Sequence, residues 1–167
     1  LKVYQDGLIA DGEMGKRIIE QGVKDGSQNY EIIAQLLEGG SELVRTEDLA
    51  LVKREYELLN RVVRANSTVE RLSSAAEFKS SAKELLHKRD NFIAQRVADT
   101  LGDGETGILF IGAYHDVIPR LPNDIVVKEV KETAKLREYH RLLSELRWSE
   151  GHLEELAEYL AAPVIID

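Results

Sequence analysis

Residues 108–112 form an uninterrupted apolar run that breaks directly into small and ionisable residues. A run without polar side chains is typical of a strand covered on both faces, and we therefore predict a buried strand over residues 107–113. Gly112 and Ala113 then allow the backbone to turn or to approach a ligand closely. The strand is expected to deliver His115 to a surface.

Apolar residues recur at helical spacing over most of the remaining chain. We predict a helical hairpin over residues 11–40, a helix that begins after Thr46, and helical structure over residues 67–101. The helix after Thr46 has the clearest pattern, because its apolar residues are spaced by three and four positions. They are Leu49, Val52, Tyr56, Leu59 and Val63. Helical spacing returns beyond Lys131, with a break expected near Gly151.

The connector after the buried strand bears on the fold class. It leads to residues 125–130, which we predict as a second strand, and Pro119 and Pro122 forbid a regular helix through it. Because it is longer than a tight hairpin, a crossover to a parallel neighbour is favoured over an antiparallel return. Residues 1–8 and 163–167 are at most short strands. We thus predict a mostly helical α/β fold, with a small, partly parallel sheet covered by helices.

Composition and charge limit the classes of protein that fit. The chain has 167 residues and is 43% hydrophobic, enough for one core, so a single domain over residues 1–167 is expected. The formal charge of −8 argues against nonspecific binding to nucleic acid or to an anionic membrane. The absence of cysteine and of any apolar run near the roughly 20 residues that span a bilayer favours a cytoplasmic location. Because residue 1 is Leu, the chain is either processed or a fragment that lacks an N-terminal portion.

His115 is the first candidate for chemistry, because it follows the predicted buried strand. Open α/β sheets place ligand-binding groups just beyond the carboxyl ends of their strands. An imidazole there can bind a metal, donate to an oxyanion or transfer a proton near neutral pH. The alternative is a polar loop residue, with Asp116 as the cap of the following turn. Asp116, which would otherwise orient the ring, and Tyr114 are the ligand-binding candidates beside it.

Arg89 lies in a run of five polar residues, 87–91, inside the long predicted helix. Such a run is usually a solvated face. Because successive helix residues are about 100° apart, Arg89 shares a side with Phe92 or Ile93 and is expected to point toward the edge of the core. A guanidinium held there can clamp a carboxylate or a phosphate with its planar fork. Asn91 is the ligand-binding candidate beside it.

Metal and nucleotide sites leave no local signature in the sequence. The histidines show no pair at the i, i+4 ligand spacing, so a divalent metal, of unknown identity, would need a site assembled across the fold. Tyr4, Gln5 and Asp6 could join such a site, but their position alone gives no warrant for assigning them to it. The glycines within residues 102–107 precede a strand instead of opening a helix, so they form a turn and not a phosphate-binding loop.

Two segments together resemble the C-terminal signature of the TraB, ChaN and TIKI group of proteins. Residues 88–98 match the arginine-led helix pattern R-[DN]-x-x-[IMW]-A, and residues 107–115 match a strand that ends in G-A-x-H. With the connector that follows, the resemblance covers residues 88–130, about a quarter of the chain. The pairing and the spacing of the two halves carry the resemblance.

The resemblance implies roles for two residues. Arg89 would correspond to the arginine of the helix and His115 to the histidine after the strand, both of which line the site in that group. Some members are metal-dependent hydrolases, including proteases, and others bind haem. The group also has a G-E-x-x-H-like motif after its first strand, which has no match here and either precedes Leu1 or is degenerate.

Two hypotheses of function follow. The first is a TraB/ChaN-like protein in which Arg89 and His115 converge on a pocket for a small-molecule or peptide ligand, anionic or metal-bound, with hydrolysis as the expected reaction. The second is a noncatalytic helical interaction or regulatory protein that forms a homo-oligomer. It rests on an apolar stripe in the C-terminal helical part, which either packs a core or meets a partner. The stripe comprises Leu136, Tyr139, Leu143, Leu146, Leu153, Leu156 and Leu160.

Overall fold

The computed structural model describes residues 1–144 and 150–164. The chain forms two compact units, Leu1–Pro122 and Asn123–Asp167. The elements of the first unit are β1 (Lys2–Gln5), α1 (Gly12–Lys24), α2 (Gln28–Glu38), β2 (Glu42–Val44), α3 (Leu49–Arg64), α4 (Thr68–Thr100), β3 (Gly107–Phe110) and a short 3₁₀ helix (Ile118–Arg120). Within its described residues, the second unit contains α5 (Thr133–Ser144) and α6 (Glu150–Ala161).

The three strands form an open parallel sheet with β1 in the centre. Val3 of β1 lies opposite Leu43 of β2 on one side and Ile108 of β3 on the other. The predicted fold class, a mostly helical α/β protein with a small sheet, is therefore confirmed. Because the strands run in the same direction, their carboxyl ends lie at one edge of the sheet.

The strands of this sheet differ from the predicted set. β3 ends at Phe110, so residues 111–113 lie beyond the strand, and the strand predicted over residues 125–130 is wrong. Val126 is 87% exposed, so this apolar segment is not covered as a sheet strand would be. β3 pairs instead with β1, a distant partner that local patterns do not specify. Residues 163–164 form no strand, and the rest of that predicted strand, 165–167, lies outside the described residues.

Helices cover both faces of β1. On one face, Val3 belongs to the main apolar core, and α1 and α2 form the predicted helical hairpin over it. The buried residues of this core are Val3, Leu8, Ile19, Ile33 and Leu43. On the other face, the Tyr4 hydroxyl lies 2.9 Å from the Thr100 hydroxyl of α4. The central strand is thus covered on both faces, as is usual in parallel sheets.

α3 and α4 pack together as a second hairpin. α4 is one helix of 33 residues, and it begins at the predicted cap, where the Ser67 hydroxyl accepts a hydrogen bond from the Glu70 N–H. Leu58 is the buried residue of α3. In contrast, Tyr56 and Val63 of the predicted apolar stripe are 63% and 77% exposed. The most regular stripe in the sequence therefore faces away from the core of the first unit.

The second unit is helical in its described residues. Leu142 of α5 and Leu156 of α6 are buried. The ammonium groups of Lys131 and Lys135 lie 5.0 and 4.0 Å from the centre of the Tyr159 ring. Leu146 of the predicted C-terminal stripe lies outside the described residues. Across residues 1–144 and 150–164, no helix is both long and apolar enough to cross a bilayer.

Candidate functional site

The carboxyl edge of the sheet gathers ionisable side chains from all three strands. Asp6 follows β1, Glu47 follows β2 and His115 follows β3. Further members come from α3 and α4, which pass the same edge. Ligand sites of open α/β sheets lie at such an edge. We call this group the edge cluster, and it comprises Asp6, Glu47, Glu55, Arg89, Asp90 and His115.

Arg89 is the cationic centre of the edge cluster. Its Nε lies 3.0 and 3.1 Å from the two carboxylate oxygens of Glu47, and its Nη2 lies 2.6 Å from Glu47 Oε1. Nη2 also donates to Asp6 Oδ1 at 3.0 Å, and Nη1 donates to Glu55 Oε2 at 3.1 Å. The planar fork therefore clamps carboxylates, as the residue type suggests, but these carboxylates belong to the chain itself.

Glu47 is a fully buried carboxylate, with 0% of its side chain exposed. The Gly7 N–H lies 3.3 Å from its Oε1. The backbone N–H groups of Thr46 and Glu47 both donate to the Leu8 carbonyl, so the loops after β1 and β2 are tied together. A buried carboxylate is costly unless it is paired, and Arg89 supplies the pair.

His115 lies between two carboxylates. Its Nδ1 is 2.6 Å from Asp90 Oδ1, and its Nε2 is 3.1 Å from Asp6 Oδ2. The second oxygen of Asp90 accepts a hydrogen bond from the Asp116 backbone N–H at 3.0 Å. Asp6 thus contacts Arg89 through one oxygen and His115 through the other, and it joins the two residues singled out in the sequence.

The charges of the edge cluster shift the pKa values of its members. Burial lowers the pKa of His115, but its hydrogen bonds with Asp6 and Asp90 and their charges outweigh burial and raise that pKa above the usual 6.5. Burial raises the pKa of Asp6, yet the hydrogen bond and charge of His115, with the charge of Arg89, hold it below the usual 3.8. The pKa of Glu47 is raised by burial, because Arg89 offsets that burial only in part and Asp6 adds a like charge. His115 therefore holds a proton more firmly than a solvated histidine does.

Asn91 and Asp116, two of the remaining predicted site residues, contact a second arginine. Arg120 Nε donates to Asn91 Oδ1 at 3.0 Å, and Arg120 Nη1 donates to Asp116 Oδ2 at 3.1 Å. The Asp116 carboxylate is 59% exposed, and this residue meets the edge cluster through its backbone N–H. Tyr114 is also exposed. Asn91 and Asp116 thus contact the neighbouring Arg120, whereas Tyr114 lies at the surface.

The sequence patterns give no site role to Glu47, Glu55 or Asp90, and they name Asp6 only as a residue that could join a metal site. Asp6 and Glu47 follow strands of four and three residues, which are too short to give a periodic signal. Asp90 stands beside Arg89 in a polar run that is typical of a solvated face, although it is only 2% exposed. Glu55 is a charged residue within an amphipathic helix and carries no signal of its own. The carboxyl ends of β1 and β2 are the structural signal that points to these residues.

The resemblance implies a divalent metal, but the donors described here do not fit one. Within residues 1–144 and 150–164, no group of three histidine or acidic side chains is arranged to bind a metal ion. In the edge cluster, the guanidinium of Arg89 bonds to the oxygens of Asp6, Glu47 and Glu55. Its positive charge opposes a cation at the same oxygens. We therefore assign no metal ligand among these residues.

Two surface depressions lie near the edge cluster without containing it. One, of about 420 Å³, is lined by β2, the start of α1 and the end of α4. The other, of about 310 Å³, is lined by Asn91, Arg120 and their neighbours. Neither is lined by Arg89 or His115, so the expected pocket at these two residues is not among them. Solvent reaches the edge cluster at Asp6 and Glu55, whose side chains are 21% and 34% exposed.

Comparison with known proteins yields no relative for this chain. No protein-family model, no curated protein and no solved structure matches it significantly. The inference of function therefore rests on the geometry of the edge cluster and on the resemblance carried by residues 88–130.

Proposed function

We propose that this chain is a TraB/ChaN-like protein that carries out hydrolysis at the edge cluster, with His115 as the group that takes up and returns the proton. One observation carries the proposal: the Asp6 carboxylate contacts both His115 Nε2 and Arg89 Nη2 at the carboxyl edge of the sheet. Ionisable groups with shifted pKa values cluster at active sites, which supports the same proposal. Such an edge is also the usual ligand-binding position in open α/β sheets.

The charge balance of the edge cluster suggests the substrate class. Four carboxylates face two cationic or ionisable nitrogen groups, so negative charge is in excess. A strongly anionic ligand would meet repulsion there. We therefore assign a neutral acyl compound, either a small ester or a peptide, as the substrate.

The proposed reaction follows from the positions of His115 and Asp6. In this reaction the substrate carbonyl lies beside Asp6, whose side chain is 21% exposed and contacts His115 Nε2. In its neutral form, His115 Nε2 accepts a proton from a water molecule as the water oxygen bonds to the carbonyl carbon. The imidazolium then returns this proton to the leaving group as the bond to that group breaks. The raised pKa of His115 favours proton uptake from the water.

Arg89 supports the reaction by positioning Asp6. Its side chain is 15% exposed and is fixed by Glu47, which is fully buried. Its Nη2 bonds to Asp6 Oδ1, while Asp6 Oδ2 contacts His115 Nε2. The guanidinium therefore holds the Asp6 carboxylate beside the reacting nitrogen.

Hydrolysis assays with p-nitrophenyl esters and a peptide library, with and without added Zn²⁺ or Mn²⁺, test the proposal. His115→Ala should lower kcat by about 10²–10⁴-fold, the usual contribution of a positioned acid–base group. His152→Ala is the matched control, because His152 is an exposed histidine that is also bonded to a carboxylate, that of Glu138. The control should keep wild-type activity. Absence of hydrolysis by the wild-type protein, or equal rates for wild type and His115→Ala, would overturn the proposal.

A noncatalytic protein that forms homo-oligomers is the second candidate. It is favoured by the exposed stripe of α3, which comprises Leu49, Tyr56, Leu59 and Val63 at 60%, 63%, 42% and 77% exposure. Together with Val52, these residues are spaced alternately by three and four positions, which is the apolar spacing of helices that pair as a coiled coil. We therefore assign α3 of a second copy of the chain as the partner of this stripe.

Light scattering on the purified protein tests this second candidate. The wild type should have the mass of a dimer, whereas the double variant Tyr56→Glu/Val63→Glu should be a monomer with unchanged helix content by circular dichroism. A monomeric wild-type protein at high micromolar concentration would remove the candidate.

A further inference from the structure

We propose that Asp90 is a positioning residue, which keeps the proton of neutral His115 on Nδ1 and so makes Nε2, beside Asp6, the reacting nitrogen. The inference rests on the proposed hydrolytic function, since a positioning role has meaning only if His115 reacts. It gives a role to Asp90, which occupies the [DN] position of the helix pattern but has no role implied by the resemblance.

The hydrogen bonds of Asp90 determine which nitrogen of His115 carries the proton. Asp90 Oδ1 lies 2.6 Å from His115 Nδ1, and Asp90 Oδ2 accepts from the Asp116 N–H at 3.0 Å. An ionised carboxylate only accepts hydrogen bonds. This bond therefore requires a proton on Nδ1, and the contact of Nε2 with the Asp6 carboxylate favours a proton on Nε2 as well. The Asp90 bond is the shorter and the more buried of the two, so the ring keeps its Nδ1 proton when it becomes neutral, and its lone pair then lies on Nε2.

The two carboxylates beside His115 differ in access to solvent. The Asp90 side chain is 3% exposed, whereas that of Asp6 is 21% exposed. The side of the ring that faces Asp6 is the more open one, so Nδ1 faces the interior and Nε2 faces the side that we assign to the substrate. Asp90 therefore acts through His115 and does not touch the substrate.

The surroundings of Asp90 hold this geometry in place. Its helical neighbours Ile93 and Ala94 pack with Val117, the residue after Asp116, in a small apolar core. In the loop that carries the ring, the His115 N–H donates to the Gly112 carbonyl at 3.1 Å. The helix that carries Asp90 is thus packed against the loop that carries His115, and the loop is fixed by its own hydrogen bond.

Asparagine at position 90 should reverse the tautomer, because an amide has only one acceptor atom. The Asp116 N–H is always a donor, so it will claim the amide oxygen. The amide NH₂ group then faces His115 Nδ1 and donates to it. The neutral ring consequently carries its proton on Nε2, and that nitrogen no longer accepts a proton from water.

The tautomer is read directly by ¹⁵N–¹H NMR correlation of the histidine rings, recorded at a pH above the titration of His115. The wild type should give the Nδ1–H pattern for His115, and Asp90→Asn should give the Nε2–H pattern. In the ester assay, Asp90→Asn should lower kcat by about 10²-fold or more with little change in KM. Asp90→Glu restores a carboxylate and should return the Nδ1–H pattern.

Asp99→Asn is the matched control, because Asp99 is an exposed residue of the same helix that accepts a hydrogen bond from Gln95. It should keep the wild-type spectrum and activity. An Nε2–H pattern in the wild type, or an Nδ1–H pattern in Asp90→Asn, overturns the inference. If Asp90→Asn does not fold, the wild-type spectrum alone tests the inference, because it shows which ring nitrogen of His115 carries the proton. Wild-type protein that has the Nδ1–H pattern but hydrolyses no substrate contradicts the proposed function instead.

Discussion

The carboxylate of Glu47 has no exposure to solvent, and its ion pair with Arg89 offsets the free-energy cost of burying it. Taking a carboxylate out of water costs several kcal/mol, and three contacts from one guanidinium offset that cost. A buried ion pair is weak support for stability, because an apolar pair of similar volume often serves as well. We therefore infer that the main effect of the Glu47–Arg89 ion pair is to orient Arg89 toward Asp6, and that stabilising the fold is secondary.

Arg89→Leu should lower the free energy of unfolding by about 3–5 kcal/mol, because it leaves Glu47 buried without a partner. The double variant Glu47→Leu/Arg89→Leu should recover much of this loss. Urea unfolding measures both. Arg61→Leu, which removes an arginine that is 51% exposed and paired with Glu77, is the control and should cost only about 0–1 kcal/mol. Equal losses for the Arg89 and Arg61 variants would contradict the account.

His115 should make stability depend on pH. Its pKa in the folded protein is raised above 6.5 by Asp6 and Asp90, which outweigh the opposing effect of burial. Its contribution is therefore fully present below the unfolded pKa and is lost as pH rises through the folded pKa. The difference in unfolding free energy between wild type and His115→Gln should shrink as pH rises above about 6.5. A difference that stays constant across that range would show that the contacts of His115 do not favour its charged form.

At the scale of elements, the sequence predicts what local patterns encode. The capping pattern at Ser67 marks the start of α4, and the apolar run at residues 108–112 contains most of β3. The partner of β3 is not local information, which explains why residues 125–130 look like a strand and are not one. For the same reason, the periodic stripe of α3 indicates a helix correctly but does not reveal that the stripe faces outward.

The contact between α1 and α2 depends on Gly22. A Cβ atom at this position would lie 1.7 Å from Tyr30 Cδ2, far inside van der Waals contact. Gly22→Ala should therefore destabilise the protein by about 1–3 kcal/mol through overpacking. In a Tyr30→Ala background, the same substitution should instead stabilise the helix by up to about 1 kcal/mol. Thermal unfolding of the four proteins measures this coupling, and additive effects would contradict the proposed clash.

At the scale of the whole molecule, the edge cluster joins parts of the first unit that are distant in sequence. Asp6 and Arg89 are 83 positions apart, and Glu47 and Arg89 are 42 apart. The sequence identifies Arg89 and His115 as site candidates because Arg89 lies in a long predicted helix and His115 follows the apolar run of residues 108–112. It does not indicate that Asp6 links them, since that contact exists only after β1 enters the sheet between β2 and β3.

The pH dependence of kcat/KM for ester hydrolysis, compared between wild type and Asp6→Asn, tests the central claim most directly. If His115 is the base, activity rises with pH through its pKa, and that midpoint lies above the usual 6.5 in the wild type. Asp6→Asn removes the negative charge beside Nε2, so the midpoint should move to lower pH, together with a lower maximal rate. A midpoint that is the same in both proteins would contradict a catalytic pairing of Asp6 with His115.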